Sequence, residues 1–480
     1  MRVLYVSTEV HPALKTGGLA DVNAALPRAL VAAGVDVRLL LPAFPALLAH
    51  ATDRGTTCAL GPALGAPAVA VIPCRLNGVP TWLVDAPVYF AREGNPYLDP
   101  RGLDWPDNLQ RFALLAWVAT RFADGSVDHW RPDIVHSHDW HAALCPAYLR
   151  ARGGASPATV FTVHNLAYQG QFPGPTFAQL GLPDHFFSMH GLEFHGQVNF
   201  MKAGLFYADR ITTVSPSFAA EIQTPAAGFG LDGLLRSRAG ALVGILNGVD
   251  TEGWDPRTDS ALAARFDATD LSGKTQCRHA LQRELGLSDG PGPLFGVVSR
   301  LTPQKGLDLL RDCVPPILAA RGRLALLGSG DTEEEAAWHA LALAHPGTIA
   351  VHLGYDEALA HRIFAAADVV PVPSRFEPCG LTQMYAMLYG ALPLVRRTGG
   401  LADTVRDASA PHLADGSATG IVFDAADSTD LRTALGRVFA LWQEPIAWKR
   451  VQRTAMQGDF GWSQPAARYR ALYRELRPQA

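Results

Sequence analysis

Short valine-rich apolar runs recur along the chain, each giving way to a loop and then to apolar residues at helical spacing. The first series is Val3 to Ser7, Val35 to Leu41, Ile134 to His138, Thr159 to Val163, Arg210 to Val214 and Val243 to Leu246. The second is Leu294 to Ser299, Leu324 to Leu327, Ile349 to Leu353, Asp368 to Val372 and Leu392 to Val395. Runs this short and this continuously apolar fit strands buried on both faces of a parallel sheet. Their alternation with helices predicts a doubly wound α/β fold, built twice. The opening unit is strand, loop, then a helix from Ala20 to Ala33 with Leu26, Leu30 and Ala33 on one face, ended by Gly34. Asn77-Gly78 predicts a hairpin between Val69 to Pro73 and Thr81 to Asp85. A Pro/Gly-rich loop from Pro87 to Pro106 precedes a helix from Asp107 to Phe122. From Asp250 to Gly290-Pro291-Gly292-Pro293 the pattern turns irregular, which places a linker near residues 246–256. The expected domains are 1–245 and 246–457, both Rossmann-like. Ala466 to Leu476 reads as a terminal amphipathic helix, whose place the residues alone leave open.

Length agrees, because 480 residues accommodate two domains of roughly 200 to 250 residues. A net charge of −4 and a pI near 6.5 favour neither a nucleic-acid nor an anionic membrane surface, so any polyanion site must be local. The six cysteines are scattered without a C-x-x-C pair, which suits free thiols in a reducing cytosol. The N-terminus enters a strand at Arg2-Val3-Leu4-Tyr5-Val6 and no window is long and apolar enough to span a bilayer. A cytoplasmic location is the expectation. Of only five lysines, Lys15 and Lys305 fall in glycine-bearing loops.

One stretch brings chemistry into focus: Pro371-Val372-Pro373-Ser374-Arg375-Phe376-Glu377-Pro378-Cys379-Gly380-Leu381-Thr382-Gln383. It reads as strand, loop, helix, with the amides of Gly380, Leu381 and Thr382 at a helix N-terminus beyond the carboxyl end of a strand, a seat for phosphate. Glu377 beside that seat would repel a bare phosphate but could accept hydrogen bonds from sugar hydroxyls, which points to a nucleotide sugar. Taken alone, Glu377 equally reads as a solvated loop residue and Cys379 as a packing thiol.

Two further loops follow strands and open helices. In Lys15-Thr16-Gly17-Gly18-Leu19, Gly17 and Gly18 would let bare amides approach a phosphate or sugar, with Lys15 as a cation; a tight turn with a solvated lysine is the alternative. In Ser299-Arg300-Leu301-Thr302-Pro303-Gln304-Lys305-Gly306, Arg300 and Lys305 could clamp a diphosphate. The convergence of all three at strand carboxyl ends carries more than any one, and predicts a ligand in a cleft between domains. His136, His138, Asp139 and His141 resemble a metal set, but nothing completes it, so Asp139 is read as lining the cleft or capping a helix. His164-Asn165, ending the next strand, supplies neutral groups for hydroxyls or simply caps a turn. Tyr168, Phe172 and Phe177 fit sugar stacking or core packing.

With Asn247-Gly248-Val249-Asp250, His138-Asp139-Trp140-His141 and Thr162-Val163-His164-Asn165-Leu166-Ala167-Tyr168-Gln169-Gly170 added to these loops, the chain resembles the bacterial glycogen synthase and plant starch synthase family in order from about residue 2 to about residue 475. The resemblance implies a GT-B glycosyltransferase fold with the C-terminal helix, about 458–480, returning to the first domain. It implies glucose transfer from ADP-glucose to the non-reducing end of an α-1,4-glucan with retention of configuration, no metal and no cofactor. It also implies donor contacts from Lys15, Gly17 and Gly18, phosphate contacts from Arg300 and Lys305, adenine stacking by Tyr355, and glucosyl hydroxyls held by Glu377, His164 and Asn247. Asp139 would face the acceptor. Many retaining relatives carry a second glutamate eight positions after the first; here that position is Tyr385, which removes a two-carboxylate mechanism through it. A nucleotide-sugar epimerase or another GT-B sugar transferase is the rival reading, though an epimerase leaves the Asp139 and His164 loops unexplained.

Overall fold

The computed structural model describes residues 1–154 and 156–478. The chain divides into two compact units, Met1–Gly248 with Trp462–Ala480, and Val249–Gly461. The sequence reading set the boundaries at 245/246 and 457/458.

Unit 1 holds β1 (Arg2–Val6), β2 (Asp36–Pro42), β3 (Cys58–Ala63), β4 (Ala66–Leu76), β5 (Val79–Asp85), β6 (Ile134–His138) and β7 (Ala158–Val163). After them come a small three-stranded sheet, β8 (Gln171–Pro173), β9 (Glu193–Phe194) and β10 (Gln197–Asn199), and then β11 (Arg210–Thr213) and β12 (Leu242–Gly244). The main sheet has nine strands in the order β12-β11-β7-β6-β1-β2-β5-β4-β3. It is parallel from β12 to β5, and antiparallel across β5, β4 and β3. Val3, Leu4 and Val6 in β1 and Ile134 and Val135 in β6 are fully buried, as strands covered on both faces require. The β4–β5 hairpin turns on Asn77 at φ 49° and Gly78 at φ 77°, the left-handed pair that a two-residue hairpin favours. The terminal helix Ser463–Leu476 belongs to this unit: Tyr469 and Tyr473 are buried, and Tyr473 Oη lies 2.7 Å from His136 Nδ1.

Unit 2 holds β13 (Leu294–Val298), β14 (Arg323–Gly328), β15 (Ile349–Leu353), β16 (Val369–Val372), β17 (Leu392–Arg396) and β18 (Ile421–Phe423), in the all-parallel order β15-β14-β13-β16-β17-β18. Phe295, Leu326, Trp338, Leu394, Leu435 and Val451 fill its core. Part of the span that reads as irregular in sequence is a helix, Ser272–Glu284. Its start, Ser-Gly-Lys-Thr-Gln, has no apolar periodicity; Cys277 and Leu281 bury, and Lys274 Nζ donates to the carbonyls of Phe364, Ala365 and Tyr389. That cation seats beyond the helix Glu357–Ala366, where the macrodipole favours positive charge.

Strand order fixes where ligands can bind. In open parallel sheets they bind beyond the carboxyl ends of the strands where the chain reverses its winding direction. That switch lies between β1 and β6 in unit 1 and between β13 and β16 in unit 2. No helix among the described residues is long and apolar enough to cross a membrane.

Candidate active site

In unit 1 the loop after β1 is held from beneath by Glu9, a residue that sequence patterns did not single out. Thr16 N–H donates to Glu9 Oε2 at 2.6 Å, the Thr16 hydroxyl to Oε1 at 2.9 Å, and Tyr97 Oη–H to Oε1 at 2.8 Å. Glu9 is buried, and burial raises its pKa above the usual carboxylate range, against the downward pull of the Thr16 and Gly17 amides and Tyr97. Lys15 Nζ sits 2.8 Å from Asp21 Oδ1 on the helix Gly18–Ala32 that the loop opens. Gly17 has φ −166°, extended backbone open to any residue, and a Cβ there would meet nothing within 4 Å. On the Cβ side of Gly17 the space within its own unit is therefore open.

Across the switch, β6 delivers Asp139. Its backbone is left-handed, φ 54°, and its carboxylate does not cap its own short helix, one of the roles that the sequence allowed. Instead Oδ1 accepts from the amides of His164 at 2.8 Å and Asn165 at 3.3 Å, tying the β6 loop to the β7 loop. Burial is the main cause that pushes Asp139 up to about 7, with the Glu9 charge adding to it and the two amides opposing it. His164 Nε2 lies 3.0 Å from His138 Nδ1, and removal from water drives the His164 imidazole down to about 3. It is thus a neutral hydrogen-bonding group throughout the physiological range. Both nitrogens of His136 are engaged, with Tyr473 and Thr162, and among the described residues no group of three His, Cys, Asp or Glu side chains is placed to hold a metal. Asn247, beyond β12, is buried, and its Oδ1 has no hydrogen-bond partner among the described residues.

In unit 2 the two loops flanking the switch are zipped together. Arg375 N–H donates to Gln304 O at 2.8 Å, and its guanidinium takes Asp308 bidentately at 2.8 and 2.6 Å. Gly306, at φ 63°, passes so close that a Cβ would lie 2.2 Å from Pro373 O. This zip sets Lys305 Nζ 2.6 Å from Glu377 Oε2. Ser374 Oγ–H donates to the same oxygen at 2.8 Å. Gly380 turns at φ 70° and Thr382 opens the helix Thr382–Leu388, with Leu381 just before it. Arg300 is exposed beyond β13, and Tyr355, 69% exposed beyond β15, donates to Glu357. Tyr385 stacks on Trp254 at 4.1 Å, so the position eight residues after Glu377 is an aromatic packing site.

A third loop escaped the sequence reading although its signal was present. Arg397-Thr398-Gly399-Gly400-Leu401-Ala402-Asp403 repeats the Thr-Gly-Gly-Leu-Ala-Asp of residues 16–21. It follows β17 and opens the helix Gly399–Thr404, and Gly400 N–H donates to Glu377 O at 3.1 Å.

Two doubly wound sheets, each with cationic, amide-bearing loops at its switch point, define a GT-B glycosyltransferase. Residues 2–237 match the starch synthase catalytic domain family and residues 292–440 the group 1 glycosyl transferases. The chain is 52% identical to a glycogen synthase of Yersinia enterocolitica, over 99% of this chain and 100% of that one, and 50% identical to a glycogen synthase of Francisella tularensis subsp. novicida, over 99% of both. Its structure is similar to the catalytic domain of starch synthase IV from Arabidopsis thaliana bound to ADP and acarbose, with a TM-score of 0.90, 32% identity and 99% of both chains covered. The chain belongs to the glycogen synthase and starch synthase family. It shares its fold with a sucrose-phosphate synthase from Thermosynechococcus elongatus, at TM-score 0.62 and 19% identity over the full length of both chains.

Proposed function

We propose that this enzyme transfers glucose from ADP-glucose to the non-reducing end of an α-1,4-glucan, with retention and without a metal or cofactor. The observation that carries the reading is the state of Glu377: one carboxylate oxygen takes both Lys305 and Ser374, and the other makes no hydrogen bond to any described residue. Such a carboxylate is charge-balanced against a nearby diphosphate and still offers an acceptor to sugar hydroxyls. Lys305 keeps two further N–H donors for phosphate, and Arg300 and the amides at Gly380, Leu381 and Thr382 add to the anion seat. Lys15 with the Gly17 and Gly18 amides serves the diphosphate and glucose, Tyr355 the adenine, and His164 and Asn247 the glucosyl hydroxyls. Asp139 serves the acceptor side. The names of the relatives and the ADP and acarbose bound to the Arabidopsis neighbour support the donor and acceptor classes.

The chemistry follows from these groups. Cations and amides stabilise charge growing on the departing ADP. The oxocarbenium-like glucosyl group meets an acceptor hydroxyl on the same face, whose proton passes to the leaving phosphate. With Tyr385 committed to packing, no side chain is assigned as nucleophile. Radiolabelled transfer onto glycogen from ADP-glucose and UDP-glucose tests the donor; we expect faster transfer from ADP-glucose, and equal or reversed rates would overturn that assignment.

A further inference from the structure

We propose that Ser374 is a positioning residue that decides which oxygen of Glu377 is presented to the donor sugar. The inference rests on the functional reading above and extends it to a residue that makes no direct contact with substrate in that reading. Ser374 is fully buried two residues beyond β16, and its hydroxyl donates to Glu377 Oε2 at 2.8 Å, the oxygen that also accepts from Lys305 at 2.6 Å. Glu377 Oε1 makes no bond to any described residue, and it is not among the sealed, unpartnered polar atoms of the protein.

Lysine alone does not produce this asymmetry. An ammonium is a compact point charge on a flexible stem, able to follow either oxygen, and the terminal torsion of a glutamate is a broad, two-fold rotor. A serine hydroxyl fixed by a buried, short side chain can reach one oxygen only. The backbone end of Glu377 is clamped as well: Gly400 N–H donates to its carbonyl at 3.1 Å, and Gly399, at φ 44°, passes so close that a Cβ would lie 2.0 Å from that oxygen. With main chain and Oε2 both held, the remaining freedom of the carboxylate is the orientation that the Ser374 hydroxyl sets.

The test uses the full-length enzyme and separates the sugar from the nucleotide. In Ser374→Ala we expect kcat/KM for ADP-glucose to fall about tenfold or more, the scale of losing a hydrogen bond to a charged group. The inhibition constant of ADP, which lacks the glucosyl group, should stay within about twofold of the parent, as should the melting temperature to within a few degrees. Ser374→Cys, of similar size but a weaker donor, should fall between the two. Parent-like kcat/KM in Ser374→Ala, or an equal weakening of ADP and ADP-glucose, overturns the inference. Glu377→Ala measured alongside separates the two claims. If it is inactive while Ser374→Ala is parent-like, only this inference fails; if it is fully active, the functional reading fails with it.

Discussion

The same six residues, Thr-Gly-Gly-Leu-Ala-Asp, open a helix beyond a parallel strand in each unit and are put to opposite uses. In unit 1 the first glycine faces open space: Gly17 is extended, a Cβ on it meets nothing within 4 Å, and the preceding Lys15 is paired to Asp21 of the same motif. In unit 2 the glycines are filled from behind. Gly399 is left-handed with Glu377 O where its Cβ would be, a Cβ on Gly400 would lie 2.0 Å from Cys379 O, and the preceding Arg397 pairs away from the loop with Asp424. One copy leaves open space beside Gly17, whereas the other buttresses the loop that carries Glu377. The carboxylates differ in parallel. Glu9 and Asp139 in unit 1 are held by amides and hydroxyls, and Glu377 in unit 2 is held by a lysine as well as a serine hydroxyl.

This contrast can be broken by substitution. Gly399→Ala forces a side chain into a backbone oxygen at a left-handed position and should destabilise unit 2 by about 2–4 kcal/mol, whereas Gly17→Ala should change stability by less than about 0.5 kcal/mol yet lower glucose transfer about 10-fold to 100-fold by keeping a ligand off the amides. Thermal melts and transfer assays on both variants check it, and equal stability losses would remove the distinction.

The carboxylates give a pH signature. Asp139 titrates near 7 in the fold and at about 3.9 unfolded, so the native state binds the extra proton between those values and stability falls as pH rises through the window. Asp139→Asn lacks this term and can still accept the His164 amide. Its melting temperature relative to the parent should therefore climb from pH 4 to pH 7 and level off above, whereas a constant difference would contradict the burial argument. The smallest effect is expected at Arg397→Ala. Its ion pair with Asp424 is largely exposed, and its loss should cost about 0.5 kcal/mol or less by denaturant titration.

Much of this arrangement is legible in sequence because a parallel sheet puts every strand's following loop on one edge, so a strand followed by Lys15-Thr16-Gly17-Gly18 or Glu377-Pro378-Cys379-Gly380 already locates its residues there. What escaped is tertiary. Glu9 finds its partner Tyr97 some 88 residues away, and Asp139 holds amides on the neighbouring strand's loop rather than capping its own helix, pairings that no local period encodes. The helix Ser272–Glu284 is too polar at its start for an apolar pattern to show. The second Thr-Gly-Gly-Leu loop was readable, but as a repeat of a motif at one point in each unit, and a search for fixed periodicity passes over it.

The proposed glucosyl transfer depends most on two side chains, Lys15 and Glu377. The most direct measurement is incorporation of labelled glucose from ADP-glucose into glycogen by Lys15→Ala and Glu377→Ala, each first shown to melt like the parent. We predict that both lose about 100-fold or more in kcat/KM, the scale of removing one charge-stabilising group; near-parent turnover in either would contradict the site described here.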